Sequence, residues 1–118
     1  MAELKVYCYT KCGTCKKALK WLNEQGIGYR EMAIRETPPT KAEMKLALKT
    51  VGSLRRLLNT SSKDYRDLGL KDKLDSMSQD ELFGLLRENG NLVKRPFVVG
   101  DGSAWTGFKV DEWQERLA

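Results

Sequence analysis

The stretch Leu4-Lys5-Val6-Tyr7-Cys8-Tyr9-Thr10-Lys11-Cys12-Gly13-Thr14-Cys15-Lys16-Lys17-Ala18-Leu19-Lys20-Trp21-Leu22 is where the chain commits to an architecture. Residues 3 to 9 alternate polar and apolar with Leu4, Val6 and Cys8 on one side, the pattern of a half-buried strand. After a turn at Thr10-Lys11, Ala18, Leu19 and Leu22 recur at helical spacing while Lys16, Lys17 and Lys20 lie elsewhere on the wheel. Cys12-Gly13-Thr14-Cys15 therefore falls at a strand-to-helix turn. A helix start offers unpaired backbone N–H groups and the positive end of the dipole, and both favour a thiolate over a thiol. Two thiols at this spacing can act in sequence, the first attacking and the second resolving the mixed disulfide.

Three readings of the pair compete. A closed structural zinc site needs four N or S ligands, and the chain carries only Cys8, Cys12 and Cys15, with no histidine. A purely structural disulfide fits poorly with the reducing compartment expected of a basic chain without a signal peptide. Thiol redox chemistry is the reading the residue types favour, with no metal expected.

Working outward, Gly26 and Gly28 close the first helix, and a second strand runs from Tyr29 through Met32 and Ile34, which makes a βαβ opening. Thr37-Pro38-Pro39-Thr40 is a break, and Thr40 with Glu43 has the spacing of a capping box for a helix through Ala42 to Thr50. Gly52-Ser53 stops that helix and caps a helical stretch from Leu54 to Leu58. Asn59-Thr60-Ser61-Ser62 reads as a polar loop, and Tyr65, Leu68 and Leu70 as a short helical or irregular piece. Ser78 and Glu81 repeat the capping-box spacing ahead of a helix that ends at Asn89-Gly90. Strand signals return with Leu92-Val93 and with Pro96-Phe97-Val98-Val99. Gly100-Asp101-Gly102-Ser103 supplies a hairpin turn into Ala104-Trp105, and a final helix runs from Val110 through Trp113 to Leu117. The expected fold is α/β, a single domain with a mixed sheet flanked by helices. Its core falls at about 1–37 and 91–118, with a helical insertion at about 38–90.

Composition agrees with that reading. Of 118 residues, 41% are hydrophobic and 31% charged, the balance of a folded soluble domain rather than a disordered chain. No apolar run approaches the roughly 20 residues of a membrane span, so no membrane association and a cytoplasmic location are expected. The net charge of +5 is uneven: residues 1–60 carry 12 basic and 5 acidic side chains, residues 61–118 carry 9 and 11. The half that holds the thiols would attract an anionic substrate, an acidic thiol cofactor or an acidic protein partner. A solvated lysine-rich surface is the plainer account of the same bias. No aromatic-plus-basic stacking motif accompanies the charge, which argues against direct nucleic-acid binding. Nothing in the pattern asks for more than a monomer.

The order βαβ then ββα, with C-x-x-C at the first βα turn, is similar to a thioredoxin-like fold, in which a cis-proline faces the thiols; Pro96 after Arg95 takes that place. More specifically, the chain resembles the ArsC/Spx family, arsenate-reductase-like proteins with a helical insertion inside a thioredoxin-type sheet. The resemblance is carried by Tyr7 to Leu22, Leu57 to Leu70, Leu92 to Val99 and the element at Gly107-Phe108. It implies that Cys12 is the nucleophile, that Arg95 holds an oxyanion by paired guanidinium bonds, and that Pro96 shapes the groove. It also implies that glutathione or glutaredoxin restores the thiol, with no cofactor bound. Cys15, where many arsenate reductases carry serine, takes the resolving step. Lys11 and Thr14 are further candidates for charge and backbone N–H help at the helix start.

Three positions depart from the arsenate-reductase pattern. Asn59-Thr60-Ser61-Ser62 lacks an arginine, Gly107-Phe108-Lys109 lacks a second, and Cys8 replaces an upstream histidine. Cys8 reads most simply as a packed strand residue. Arg55, Arg56, Arg66, Lys11, Lys16 and Lys109 are the nearby cations that could compensate. Spx-type members imply a different role, a C-x-x-C redox switch in a regulator that binds RNA polymerase through the C-terminal domain of its alpha subunit. Gly52 with Arg55 and Arg56 marks the candidate partner surface. The Thr-Arg-Ser sequence of those regulators reads Thr60-Ser61-Ser62 here.

Overall fold

In the computed structural model, which describes residues 4–9, 11–100 and 102–117, the strand expected over 3 to 9 forms as β1, Leu4–Cys8. It has neighbours on both sides. Strand β2, Tyr29–Ala33, runs parallel to it with Leu4 opposite Tyr29 and Cys8 opposite Ala33. Strand β3, Phe97–Gly100, runs antiparallel to it, with Tyr7 opposite Phe97 and Lys5 opposite Val99. Strand β4, Ser103–Thr106, returns antiparallel to β3, so the sheet order is β2-β1-β3-β4. This is the mixed sheet that the pattern predicts; Asp101 of the connecting turn lies outside the described residues, as do Glu3 and Thr10.

Helix α1, Gly13–Glu24, links β1 to β2 and turns Cys15, Ala18 and Leu22 into the core. Between β2 and β3 come α2 (Lys41–Val51), α3 (Lys63–Asp67), α4 (Leu70–Lys73) and α5 (Gln79–Glu88), with short 3-10 turns at Leu54–Leu57, Leu74–Ser76 and Gly90–Leu92. Helix α6, Val110–Leu117, closes the described chain. The capping box at α2 is complete: Thr40 Oγ1 accepts the Glu43 N–H at 3.1 Å, and Glu43 Oε1 accepts the Thr40 N–H at 2.9 Å. At α5 Ser78 Oγ accepts the Glu81 N–H at 3.1 Å. Gly52, at φ 80°, ends α2 in the left-handed conformation that glycine adopts most easily.

Two expectations are corrected. Leu92-Val93 does not enter the sheet; Leu92 ends a 3-10 turn and Val93 makes an isolated bridge to Leu58. The backbone explains it, because the Leu92 carbonyl accepts the Asn59 N–H at 2.7 Å and the Lys94 N–H goes to the Leu57 carbonyl at 2.9 Å. These two bonds pair Val93 with Leu58, at the end of the 3-10 turn at Leu54–Leu57, rather than with a strand of the sheet. Ile34 lies just past β2, although its N–H still reaches the Cys8 carbonyl at 3.0 Å.

One continuous apolar core joins both faces of these elements, including Val6, Leu22, Ile34, Phe83, Leu86, Phe97, Val98 and Trp113. Trp113 is its aromatic hub, edge-on to Phe108 at 4.8 Å, Trp21 at 5.9 Å and Trp105 at 6.2 Å, with its own Nε1 donating to the Gly107 carbonyl at 3.1 Å. Among the described residues, Glu43 is the buried charged side chain. Its Oε1 accepts from Tyr7 Oη at 2.7 Å, and its Oε2 lies 2.6 Å from Lys5 Nζ, so the carboxylate ties α2 to β1. Burial pushes the Glu43 carboxyl up, but Lys5, the Thr40 N–H and Tyr7 together hold it below its ordinary value. Tyr7 is pushed well up, first by burial and then by donating to Glu43.

Glu43→Gln is expected to lower stability by about 1–3 kcal/mol at neutral pH in urea unfolding, because the amide leaves Lys5 and Tyr7 poorly paired. A carboxyl held below its unfolded value stabilises the fold above about pH 4.3 and loses that contribution as pH falls through the folded value. The gap between wild type and variant should therefore narrow on acidification, and equal stability at neutral pH would contradict the role. Gly90→Ala is a second test. A Cβ there would collide with the Ile34 carbonyl oxygen and sit 2.8 Å from Arg35 Cα, so a loss of roughly 3 kcal/mol is expected in the same assay.

Candidate active site: the thiol turn

Sheet geometry decides what meets at the thiols. A parallel neighbour of β1 ends where β1 ends, and an antiparallel neighbour begins there. The segment after β1, the segment after β2 and the segment before β3 thus converge at one edge, the carboxyl edge of the parallel pair, where open α/β sheets place their ligands.

The segment after β1 carries the thiols. The Cys12 N–H donates to the Tyr9 carbonyl at 2.9 Å and the Cys12 carbonyl accepts the Lys16 N–H at 3.1 Å, which closes a tight turn into α1. Cys12 is the N-cap residue in extended backbone, yet no side chain caps the helix and no acidic residue occupies its first turn. The first N–H groups of α1 are thereby left without a side-chain acceptor, a ready setting for an anion. Helical period then separates the two cysteines. Cys12 is half-buried at the rim, whereas Cys15, one turn on and facing inward, is 1% exposed. Lys11 and Thr14 are exposed beside them.

Cys15 is also the more acidic of the buried thiols. A hydrogen bond from the Cys8 thiol pulls it down; against the upward push of burial, bonds from the Tyr9 backbone and the Cys12 thiol and the positive field of Arg95 bring it to about 6. Cys8, at the end of β1, is held protonated far above the ordinary thiol range by that same bond to Cys15 and by burial. Cys8 is buried as the strand pattern predicts, and in addition it takes part in the site as a donor to Cys15. All three cysteines are free thiols.

From before β3 come Arg95 and Pro96. The Arg95–Pro96 peptide bond is cis, Pro96 is buried, and its carbonyl accepts the Gly107 N–H at 2.9 Å. The Arg95 guanidinium lies 5.2 Å from the centroid of the Tyr9 ring. From after β2 comes Arg35, which sequence reasoning passed over. Its Nη1 donates to Tyr9 Oη at 3.2 Å and its guanidinium lies 5.1 Å from the same ring centroid. The signal available for it was the βαβ pattern, which places the residues just past β2 beside the residues just past β1.

The other proposed cations go elsewhere. Arg56 Nη1 binds the Val51 carbonyl at 3.1 Å, and the Arg56 carbonyl accepts from Thr106 Oγ1. Arg55, Arg66 and Lys109 are exposed. Lys16 lines a shallow depression of about 600 Å³ with Leu19, Lys20, Asn23, Glu24 and Tyr29, which neither thiol borders. Among the described residues no group of three or more His, Cys, Asp or Glu is arranged to hold a metal ion, and no helix is long and apolar enough to cross a membrane.

Comparisons with known proteins bear on the family and the fold. The chain is 45% identical over 117 residues to YusI, an uncharacterized protein of Bacillus subtilis (strain 168), covering 98% of this chain and 99% of that one. It is 32% identical over 113 residues to the global transcriptional regulator Spx of Listeria innocua, covering 95% and 85%. The crystal structure of a possible arsenate reductase from Streptococcus mutans UA159 superposes with a TM-score of 0.87 at 36% identity, covering 97% and 99%. The profile of the ArsC family matches residues 7–116, so a thioredoxin-like sheet with its thiols at the first turn, matched over nearly its whole length, places this chain in the ArsC family.

Proposed function

We propose that the chain is a thiol-dependent oxidoreductase of the arsenate-reductase-like kind, with Cys12 as nucleophile and Cys15 as resolving thiol. The observation that carries this reading is the division between the two cysteines: a rim thiol at an uncapped helix start, backed by a buried and acidic one. Cys15 cannot meet a substrate at 1% exposure, but it can reach Cys12 Sγ. With a disulfide substrate, Cys12 Sγ bonds one sulfur and expels the other as a thiolate. Cys15 then attacks Cys12 Sγ, forms the Cys12–Cys15 disulfide and releases the second thiolate, so two electrons leave the protein. With arsenate, Cys12 sulfur displaces hydroxide from arsenic. The attack of Cys15 on Cys12 Sγ then leaves an electron pair on arsenic, which departs as arsenite. In both cases two external thiols, from glutathione or a glutaredoxin, reduce the internal disulfide and are themselves oxidised. Arg95 positions the anionic group of the substrate, Pro96 walls the groove, and Lys11 and Thr14 add charge and backbone donors at the helix start. A cytoplasmic monomer suits this chemistry.

A second reading has its own support. Relatives named Spx match nearly the whole chain, and Gly52 at the end of α2 stands next to exposed Arg55 and Arg56. On this reading the Cys12–Cys15 disulfide is a switch, and the partner is RNA polymerase, held by the C-terminal domain of its alpha subunit. A pull-down of that domain by the reduced and oxidised protein separates the two. Redox-dependent capture without turnover of any oxidised substrate would favour the regulator.

For the reductase, Cys12→Ser should abolish turnover of arsenate or of a glutathione mixed disulfide in a glutaredoxin-coupled assay, while its circular dichroism stays that of wild type. Cys15→Ser should stop after one event, with the adduct retained on Cys12 and visible by mass spectrometry. Unchanged multiple turnover in either variant would refute the assignment.

A separate expectation concerns pH. Because folding lowers the Cys15 pKa to about 6, from the ordinary thiol value of about 8.5, the native state binds fewer protons than the unfolded state between those values. Stability should rise with pH across that window, and the contribution should be gone below about 6. Cys8, held protonated in the native state, opposes that slope only where the unfolded thiol begins to ionise, near about pH 8.5, so the rise is clearest in the lower part of the window. Urea unfolding at several pH values should show the slope in reduced wild type and a flatter one in Cys15→Ser. A slope that survives that substitution would assign the thiolate elsewhere.

A further inference from the structure

From the convergence of two guanidinium groups on one ring beside Cys12, we infer that Arg35 is a specificity-determining residue. It acts as the second arginine of an anion subsite that selects doubly charged oxyanions over singly charged ones. The inference rests on the reading of Cys12 as the reactive thiol. Arg35 and Arg95 each lie within 5.2 Å of the Tyr9 ring centroid, so they are no further apart than twice that distance. Tyr9 supplies the carbonyl that receives the Cys12 N–H, so the residue whose ring gathers both cations also closes the thiol turn, and the positive field of Arg95 reaches Cys15. Among the described residues neither guanidinium has a carboxylate partner. Two like charges held on one ring without a counter-ion are an arrangement that an incoming dianion neutralises.

The placement of Arg35 is built into the fold. Ile34 is fully buried, and its N–H continues the sheet register by reaching the Cys8 carbonyl at 3.0 Å. Gly90 lies so close against the backbone of Ile34 and Arg35 that no Cβ fits between them. The main chain of Arg35 is thus fixed from both sides, and its side chain is braced by the Tyr9 hydroxyl. A guanidinium with one N–H spent on that hydroxyl keeps further donors for oxygen atoms of a ligand. Arg95 reaches the ring from the other neighbour of β1, and the uncapped N–H groups of α1 complete the donor set. The two arginines missing from the loop at 59–62 and from 107–109 are offset here by a cation from another strand end.

The test is protection of Cys12 from iodoacetamide by sulfate, an unreactive dianion, compared with nitrate at matched ionic strength so that general screening is equal. Wild type should be protected by sulfate at lower concentration than by nitrate. Arg35→Ala should weaken sulfate protection on the order of tenfold, as expected for a charge-assisted bond at a partly exposed site, with nitrate protection shifting far less. Arg35→Lys should restore part of the preference, and urea unfolding of both variants checks that the fold is retained. If sulfate protection is unchanged in Arg35→Ala but lost in Arg95→Ala, Arg35 merely buttresses Tyr9 and the inference is overturned. If sulfate does not protect a fast-reacting wild-type Cys12, the dianion subsite is refuted while the thiol reading stands. If Cys12 reacts no faster than an unstructured thiol, the thiol reading falls and takes the subsite with it.

Discussion

The rest of the structure depends on the double pairing of β1, parallel on one side and antiparallel on the other. A strand in that position gathers three remote chain segments at one end without any of them needing to be close in sequence. The βαβ unit delivers Ile34 and Arg35, the hairpin delivers Arg95 and Pro96, and β1 itself delivers Tyr9 and the thiol turn. Glu43 secures the arrangement from the opposite layer, with a single carboxylate taking bonds from Lys5, Tyr7 and the start of its own helix. A buried charge is tolerated there because every strong partner it requires is in reach.

The thiols show how one helical turn separates an accessible sulfur from a buried one. The amphipathic period of α1 hides Cys15, whose pKa is lowered by the hydrogen bond from Cys8, and leaves Cys12 accessible at the rim. Cys8, which takes the place of an imidazole in the arsenate-reductase pattern, donates a hydrogen bond to Cys15 and brings no positive charge. Positive field must then come from guanidinium groups and the helix start. Arg95 lies over the Tyr9 ring and lowers the Cys15 pKa, and Arg35 meets the same ring from the end of β2.

Membership of the ArsC family accounts for the sheet, the helical stretch between its halves and the thiol turn, and relatives within that likeness carry both reductase and regulator names. The same framework suits either role. On the proposed readings, a C-x-x-C pair at a helix start would exchange electrons whether the consequence is product release or a change of surface. What would differ is the chemistry around it: the arginines at the thiol turn would matter in one case, and the exposed surface near Gly52, Arg55 and Arg56 in the other.

Much of the architecture is legible in the chain alone. The capping box of Thr40 and Glu43, the Ser78 cap, the stop at Gly52 and the hairpin before Trp105 are local signals, each decided by a few neighbouring backbone groups. Leu92-Val93 misled because its apolar character and the β-branched Val93 are what a strand shows, while its backbone partners come from residues 57–59 and could not be foreseen from composition. Arg35 was invisible for a related reason: on the chain it is one exposed arginine after a strand, and only the register of β2 against β1 sets it beside Tyr9. The sequence by itself determined the order of elements, the thiols at the first turn and the proline before β3, because these follow from periodicity and local bonding. Only the tertiary structure decided which thiol is buried against Cys8, which arginines meet at the Tyr9 ring and why Glu43 can be buried, because each depends on groups brought together across the sheet.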